Sequence, residues 1–501
     1  MDSLDTNDQV KQRRPERPER PVAKRRSLTR RRFLGASRAV LGAASLGAIG
    51  YGMDGLIRPG TNVASTHASS LGAVEIGSTP PSVGADLQEP KAYTSKDGFL
   101  AIKLEAQPDP ESGTGRMMAY EGSIPGPTIR IRPGDNLKVA LVNSLEQEAT
   151  NLHVHGFHVS PRDNSDNVFV HVMPGQTFNY DYQIPTNHAP GTYWYHPHHH
   201  GHSNAQVLAG LAGAIVIEGG LDDLPGIAGK TERLMVLQGP FQDANNRPSY
   251  LVNGQINPVI TIQPGETQRW RLLNASANAF FNLRLSGHKM HQIATDGNPL
   301  PNLITTDTLL LGPGERGDVL VRGEAAGIYE LRSLEWSIDI PSQAQPEMTI
   351  ASVVSTGEPV EPTDFPSSLI PFDDLAGDEI AQSRVITFME QRTAPAFAID
   401  GLAFVEGVVN QTVKLGTTEE WTIRNESGEW HPFHIHVNDF QIMTTNGQPV
   451  APHFEDTSLL PPNGEIVIRS RFLDYTGKFV YHCHILAHED AGMMGVVEVV
   501  E

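Results

Sequence analysis

Short runs of alternating apolar and polar residues, separated by glycine turns, dominate the chain from about residue 90 onward. The stretch TIRIRPGDNLKVALVN (residues 128–143) contains two such runs, and a period of two is typical of strands with one buried face. The 47 glycines and 37 prolines favour many turns between short strands. We therefore expect an all-β protein with few helices.

One pattern occurs three times along the chain, which is the signature of tandem domains. Each copy has a glycine turn, a strand, a second glycine turn, another strand and then an asparagine. The copies are residues 120–144, 252–276 and 399–427. In every copy the second glycine and the asparagine are nine residues apart: Gly134 and Asn143, Gly265 and Asn274, Gly416 and Asn425.

A second shared segment closes each copy and begins at Gly191, Gly327 or Gly477. Together the repeats predict three tandem Greek-key domains, each a β-barrel or β-sandwich. Their expected bounds are residues 90–220, 221–356 and 384–501, with linkers at 69–89 and 357–383.

The charge of the chain is divided between a basic leader and an acidic body. Residues 1–68 have 13 Lys/Arg and 6 Asp/Glu, whereas the remainder has 25 basic and 52 acidic residues and a net charge of −27. A strongly acidic body argues against nucleic acid as a partner, because nucleic-acid surfaces are basic.

The leader has the features of an export signal. TRRRFL (residues 29–34) resembles the twin-arginine motif and precedes a short apolar segment rich in small residues, with a cleavage site expected near Ala68. A membrane anchor is the alternative, and the shortness of the segment favours export. We expect a periplasmic or extracellular protein with no stable membrane partner beyond the export machinery.

Four His-x-His pairs are the main candidates for metal chemistry. They are His153 and His155, His196 and His198, His434 and His436, and His482 and His484. Alternate residues of a strand share a face, so each pair directs two imidazoles the same way. Two pairs lie in the first expected domain and two in the third. If those domains touch, eight imidazoles line one cavity and suit more than one metal ion.

Cys483 indicates which metal. It is the only cysteine and lies between His482 and His484, so on a strand its thiol points to the opposite face. His431, His488 and Met493 are the nearby partners, and a thiolate, two imidazoles and a weak axial thioether form the blue-copper ligand set. The shared backbone would give electrons a through-bond path from the thiol side to the imidazole side.

On these motifs the chain resembles the three-domain multicopper oxidases of the laccase type. HVHG (153–156), HPH (196–198), HPFHIH (431–436) and HCHILAHEDAGMM (482–494) match the four copper motifs of that family, and the resemblance covers residues 90–501. It implies that the three tandem Greek-key domains are cupredoxin-like and that the protein holds four copper ions. The type 1 ligands would be His431, Cys483, His488 and axial Met493, with Met494 the alternative. The type 2 ligands would be His153 and His434, and the type 3 ligands His155, His196, His198, His436, His482 and His484.

The resemblance also implies the reaction and its acids. A small-molecule reductant would give single electrons to the type 1 copper, and the trinuclear cluster would reduce O₂ to water. Glu489 and Asp166 occupy the approximate positions of the family's two acids near the cluster. The local sequence SPRDNSDNVF departs from the usual form, so Asp163 is the alternative to Asp166.

The other histidines are expected to lie outside the ligand sets. His199, His200 and His202 would be neighbours of the ligands or surface groups. His158, His171, His188, His288, His291 and His453 are interpreted as ordinary histidines.

The motifs leave four candidate functions for the protein. A phenol or aromatic-amine oxidase is favoured. A metallo-oxidase for Cu(I) or another cation is less so, because the 12 methionines are scattered and soft thioethers would be needed to bind Cu(I). A non-catalytic cupredoxin scaffold would lack the ligands present here. Copper nitrite reductase resembles a two-domain chain with its thiol in the first domain, where this chain has no cysteine.

Overall fold

The computed structural model describes residues 84–109, 117–242, 248–337, 344–366 and 368–501. The leader, its twin-arginine motif and the expected cleavage site lie outside the described residues. Within the described ranges the only α-helices are α1 (Ser203–Leu208) and α2 (Leu486–Asp490), which confirms the all-β prediction. None of the helices in these ranges is long and apolar enough to cross a membrane.

The first pair of sheets is formed by residues 92–217. Its strands are β1 (Ala92–Thr94), β2 (Phe99–Pro108), β3 (Met118–Tyr120), β4 (Thr128–Ile131), β5 (Asn136–Asn143), β6 (His153–His155), β7 (Thr177–Gln183), β8 (Gly191–His196) and β9 (Gly213–Ile217). One sheet has the order β1-β4-β9-β8-β6 and the other β3-β2-β5-β7. On β5 every second side chain, from Leu137 to Leu141, is buried between the sheets.

The second pair of sheets is formed by residues 231–355. Its strands are β10 (Thr231–Gln242), β11 (Pro248–Val252), β12 (Val259–Ile262), β13 (Thr267–Asn274), β14 (Phe281–Leu285), β15 (Met290–Thr295), β16 (Asn298–Thr306), β17 (Leu309–Leu311), β18 (Arg316–Arg322), β19 (Gly327–Leu334) and β20 (Met348–Ser355). The two sheet orders are β11-β10-β13-β18-β15-β16 and β12-β20-β19-β14-β17. Upstream of β1, Asp86 bridges Val259 of β12, so the segment before the first domain pairs with the second.

The third pair of sheets begins at Ile380, ahead of residue 384, where the sequence analysis places the start of the domain. Its strands are β21 (Ile380–Glu390), β22 (Phe397–Ile399), β23 (Gln411–Lys414), β24 (Thr417–Asn425), β25 (His431–Ile435), β26 (Phe440–Thr445), β27 (Gln448–Pro449), β28 (Phe454–Glu455), β29 (Thr457–Leu460), β30 (Glu465–Phe472), β31 (Gly477–Cys483) and β32 (Met494–Val500). One sheet has the order β22-β21-β24-β30-β26-β27, with β28 paired to β26, and the other β23-β32-β31-β25-β29.

The repeated glycine and asparagine have the same structural role in all three domains. Gly134, Gly265 and Gly416 have φ angles of +91°, +82° and +80°, a region that favours glycine. Each asparagine then fastens the loop that follows its strand. Its side-chain nitrogen donates to a carbonyl four or five residues onward, and its oxygen accepts from the backbone two residues onward. The donor distances are 2.8 Å from Asn143 to Glu148, 2.7 Å from Asn274 to Ala279 and 2.7 Å from Asn425 to Glu429.

Strand β8 joins the first domain to the second because both of its faces are buried. Tyr193 and Tyr195 point into the core of the first domain. Trp194 points the other way and packs against Leu234 and Leu273 of the second domain. A strand buried on both faces explains why its sequence, GTYWYH, is nearly continuous in bulky residues.

Arg316, at the start of β18, connects all three domains through a buried guanidinium group. Its Nη1 and Nη2 atoms donate to Asp456 of the third domain at 2.8 and 2.5 Å, and its Nε donates to the carbonyl of Thr192 in the first domain at 3.0 Å. Arg316 is 0% and Asp456 1% exposed. Although burial raises the pKa of Asp456, the Arg316 charge outweighs it and holds that pKa below its usual range.

We predict that Arg316→Met destabilises the fold by about 3–5 kcal/mol, because it leaves the Asp456 charge buried without its partner. The measurement is the midpoint of urea unfolding. Arg332→Met is the matched control, since that side chain is 40% exposed and pairs with Glu347 on the surface. Such a pair contributes about 0–1 kcal/mol. Equal midpoints for the two variants would contradict the role given to Arg316.

Candidate metal centre

The fold brings the predicted ligands together in two groups, one around Cys483 and one between the first and third domains. Strand register aligns the histidine pairs: His153 on β6 is opposite His196 on β8, and His434 on β25 is opposite His482 on β31. Only the first His-x-His pair lies wholly within a strand. In the other three pairs the second histidine follows the end of the strand by one or two residues.

The group around Cys483 has three donor atoms directed at one point. The Cys483 Sγ atom lies 3.4 Å from His431 Nδ1 and 3.7 Å from His488 Nδ1, and the two Nδ1 atoms are 3.3 Å apart. Burial raises the pKa of the Cys483 thiol and lowers that of the His488 imidazole. A thiolate at this place therefore requires a cation beside it, which a coordinated metal provides.

Met493, not Met494, shares the hydrophobic cluster of Cys483. Its carbonyl also accepts the Cys483 backbone N–H at 3.1 Å. Met494 is directed to a different cluster, with Val168 and Val480. The geometry thus favours Met493 as the thioether neighbour of this group.

Ser427 orients His431 through the asparagine clamp of the repeat. Asn425 Oδ1 accepts the Ser427 hydroxyl at 2.8 Å, and Ser427 Oγ lies 2.7 Å from His431 Nε2. A bond to Nε2 leaves Nδ1 as the free donor atom. The repeated asparagine therefore has a second use in the third domain, since it fixes which nitrogen faces Cys483.

The second group consists of the eight paired histidines, all between 0% and 2% exposed. Rings of the two domains stack on each other: His153 on His436 and His155 on His434, each with centroids 3.8 Å apart. His482 Nε2 lies 3.0 Å from His198 Nε2 and 3.3 Å from His436 Nε2. Three ring nitrogens converging in this way form one ligand set.

The resemblance divides the remaining five histidines into a trio and a pair. Within the trio, the rings of His155 and His196 approach His484 with centroid distances of 4.9 and 5.5 Å. The rings of the pair, His153 and His434, are 6.0 Å apart. The ring of His434 also stacks on that of His155 at 3.8 Å, so the division into a trio and a pair rests on the resemblance and not on ring distances.

Buried ring nitrogens without hydrogen-bond partners show that the group fits metal ions. Several buried ring nitrogens have no hydrogen-bond partner among the described residues: Nε2 of His153, His196 and His434, Nδ1 of His155 and His436, and both nitrogens of His484. A buried polar atom without a partner costs free energy. Burial lowers the pKa of His196 to about 3, so its imidazole is neutral and offers a lone pair. Copper ions at these lone pairs would satisfy them.

Asp166 lies against the cluster and Asp163 does not. Both Asp166 oxygens are 3.0 Å from His153 Nδ1, and Oδ1 also accepts the Val154 N–H at 3.1 Å. Burial raises the pKa of Asp166 to about 8. Asp163 is exposed, so the geometry favours Asp166 of the two acids considered.

Glu489 lies on the other side of the cluster and is fully buried. Its Oε1 accepts the Ser203 hydroxyl at 3.0 Å and is 3.7 Å from His198 Nδ1, while Oε2 is 3.8 Å from His482 Nδ1. Burial, followed by the charge of Asp490, raises its pKa well above the usual range. Glu489 is therefore an acid that can hold a proton at neutral pH.

Asp456 is a site residue that the sequence analysis missed. Its Oδ1 lies 2.9 Å from His155 Nε2, and its carbonyl oxygen lies 2.7 Å from His434 Nδ1. It thus contacts two predicted ligands of different coppers and is itself held by Arg316. The middle domain approaches the cluster again at Gly314, where a Cβ would lie 3.0 Å from the His484 ring.

Three family models match the chain, each described as multicopper oxidase, over residues 104–221, 229–357 and 380–501. The multicopper oxidase mco of Staphylococcus haemolyticus is 27% identical, over 81% of this chain and 91% of its own length. The laccase of Bacillus subtilis is 26% identical, over 77% of this chain and 90% of its own length.

A solved structure, the Campylobacter jejuni multicopper oxidase described as a metallo-oxidase, superposes with a TM-score of 0.72 at 28% identity. The match covers 85% of this chain and 99% of that one. With the matched family models spanning most of residues 104–501, the chain belongs to the multicopper oxidases, as a three-domain, laccase-like enzyme that uses four copper ions to couple oxidation of a reductant to reduction of O₂.

Proposed function

We propose that the enzyme oxidises phenols and other aromatic reductants at a type 1 copper that Cys483, His431 and His488 would hold, with Met493 as a weak thioether ligand. The observation that carries this proposal is the position of His488. It is 8% exposed, and its ring stacks on Phe397 with centroids 4.2 Å apart at 18°. The half-buried Phe397 beside this imidazole offers a reductant an apolar aromatic contact.

We assign His153 and His434 to type 2, as the resemblance implies, and the two trios His198, His436, His482 and His155, His196, His484 to type 3. Bound copper supplies the redox chemistry, which is one-electron oxidation of the reductant at type 1 and four-electron reduction of O₂ to water at the cluster. Cys483 links the two sites, because its backbone neighbours His482 and His484 belong to the two trios.

The protein supplies protons from two flanks of the cluster. Reduction of O₂ to two waters consumes four protons, and a positioned carboxylic acid is an effective donor when its pKa is near the working pH. Asp166 contacts His153 on one flank. Glu489 lies near His198 and His482 on the other. Ser203 donates to Glu489 and so fixes the direction of its carboxyl group.

Oxidation of a metal ion is the second candidate function, supported by acids beside the type 1 group. Glu390 Oε1 lies 3.2 Å from His431 Nε2 and its side chain is 26% exposed. Burial and Glu390 raise the pKa of the adjacent Glu429 to about 7. Carboxylates bind hard cations, whereas Cu(I) prefers thioethers, and the methionines of this chain are scattered.

The twin-arginine motif at residues 29–34 supports an export proposal as well. That route transports folded proteins, which would allow copper to be loaded before export. We propose a periplasmic or extracellular location for the mature enzyme.

Met493→Leu is expected to keep the blue colour and raise the type 1 reduction potential, because a weak axial ligand tunes the potential while the Cu–thiolate bond gives the colour. Redox titration of the blue band measures the shift. Met494→Leu is the matched control and should leave the potential unchanged, since Met494 packs among valines. A shift in Met494→Leu alone would reverse the axial assignment.

Oxygen uptake with a phenol, an aromatic amine, Cu(I) and Fe(II) offered separately tests the substrate class. We expect the two aromatic reductants to support the faster turnover. Phe397→Leu should lower kcat/KM for the phenol by about 2- to 10-fold, on the scale of one aromatic contact, and leave metal-ion rates unchanged. Glu390→Gln should lower the metal-ion rates and leave kcat/KM for the phenol unchanged. Uptake confined to the metal ions would overturn the proposal in favour of the second candidate.

Glu489→Gln is expected to slow reoxidation of the fully reduced enzyme by O₂ by about 10²-fold or more, the usual scale for a lost general acid. Copper content should stay unchanged. Stopped-flow recovery of the blue band provides the rate. Asp166→Asn should also slow recovery, and Asp163→Asn, at an exposed position, is its matched control. Recovery of Glu489→Gln at the wild-type rate would show that protons arrive by another route.

A further inference from the structure

A second group of histidines lies at the surface, outside the twelve ligands assigned above. His171 Nδ1 faces His199 Nε2 at 2.7 Å, with ring centroids 4.7 Å apart. The ring of His202 is 5.1 Å from that of His199. Glu406 of the third domain adds a carboxylate oxygen 3.4 Å from His171 Nε2. The sequence alone does not indicate this group, because no local spacing connects His171 to His199.

We propose that His171 and His199 form a site for a divalent copper ion that is additional to the four coppers of the enzyme. Imidazole nitrogen is the preferred donor for Cu²⁺, and Cu²⁺ is bound most tightly among the divalent first-row ions. Glu406 contacts the other nitrogen of the His171 ring and would orient it, while water would complete the coordination.

The geometry of the facing nitrogens favours a metal over a simple hydrogen bond between the rings. It resembles that of the assigned ligand sets, where ring nitrogens approach to 3.0 and 3.3 Å.

The location indicates what the ion would do there. His171, His199 and Glu406 line a small pocket, and the same pocket is lined by His198, a ligand of the proposed cluster. The side chains of His171 and Glu406 are 48% and 60% exposed, so an ion can reach them from solvent. The acidic body of the protein attracts cations to this surface. The site therefore serves to capture copper for loading the cluster.

The loading role rests on the ligand assignment under Proposed function, but the binding site does not. Two separate measurements distinguish them. His171→Ala is the test variant because the side chain is half exposed and is not one of the assigned ligands. His291→Ala is the matched control, since this half-buried histidine lies in the middle domain and contacts Thr305.

The first measurement is calorimetric titration of Cu²⁺ into the copper-loaded, full-length enzyme. Wild type and His291→Ala should each bind one further equivalent. His171→Ala should bind it at least about tenfold more weakly, which corresponds to ~1.4 kcal/mol for the lost ligand. Identical titrations of wild type and His171→Ala would overturn the site.

The second measurement is the rate at which the copper-free protein regains its four coppers at limiting Cu²⁺. Metal analysis of desalted samples gives the copper content and needs no assay of turnover. His171→Ala should load several-fold more slowly than wild type and His291→Ala, and reach the same final content. Equal loading rates would overturn the delivery role.

Discussion

The buried pair of Arg316 and Asp456 is the interaction on which the arrangement of the three domains depends. Arg316 belongs to the middle domain, Asp456 to the third, and the Arg316 Nε atom binds a backbone carbonyl of the first. A buried charge is tolerated only when it is paired and hydrogen-bonded, so the three domains have to meet in one geometry. Gly156 adds to this constraint, because a Cβ there would lie 2.5 Å from Asp456 and 2.6 Å from Arg316. Asp456 in turn contacts His155 and His434, and the domain interface and the cluster are therefore positioned by the same carboxylate.

The three copies of the fold have different roles in the site. All three keep the glycine turn and the asparagine clamp, which are requirements of the β-fold itself. The first and third copies carry the histidine pairs on strands of equivalent position, β6 with β8 and β25 with β31. The middle copy has Arg332 and Leu334 where its neighbours have histidines. The middle domain still contributes to the site, because its Arg316 binds Asp456 and its Gly314 lies against the His484 ring.

Local spacing explains which parts of this site could be predicted from the sequence. A His-x-His pair or a Cys between two histidines is a local pattern, and strand geometry alone states where such side chains point. Asp456 follows His436 by 20 residues, and Arg316 precedes His436 by 120 residues. Neither Asp456 nor Arg316 belongs to a motif. Ser427 and Ser203 act on His431 and Glu489 through single hydroxyl contacts that only the folded chain defines. Only the folded chain distinguishes Asp163 from Asp166, because Asp163 lies in a turn with a φ of +56° and remains in solvent.

Charge balance accounts for the acids that surround the eight imidazoles. All eight imidazoles are buried, and burial lowers the pKa of seven of them, so these seven offer lone pairs but no charge to offset metal cations. Asp456, with its pKa held low beside Arg316, is already ionised and gives the cluster a fixed negative charge. Asp166 and Glu489 differ, because burial raises the pKa of both and neither is paired with a lysine or arginine among the described residues. Bound cations favour the ionised form of a neighbouring acid, so the pKa of each would respond to the charge of the cluster. Acids of this kind release a proton when the local positive charge rises and regain it when that charge falls, which suits groups that must deliver protons in step with electrons.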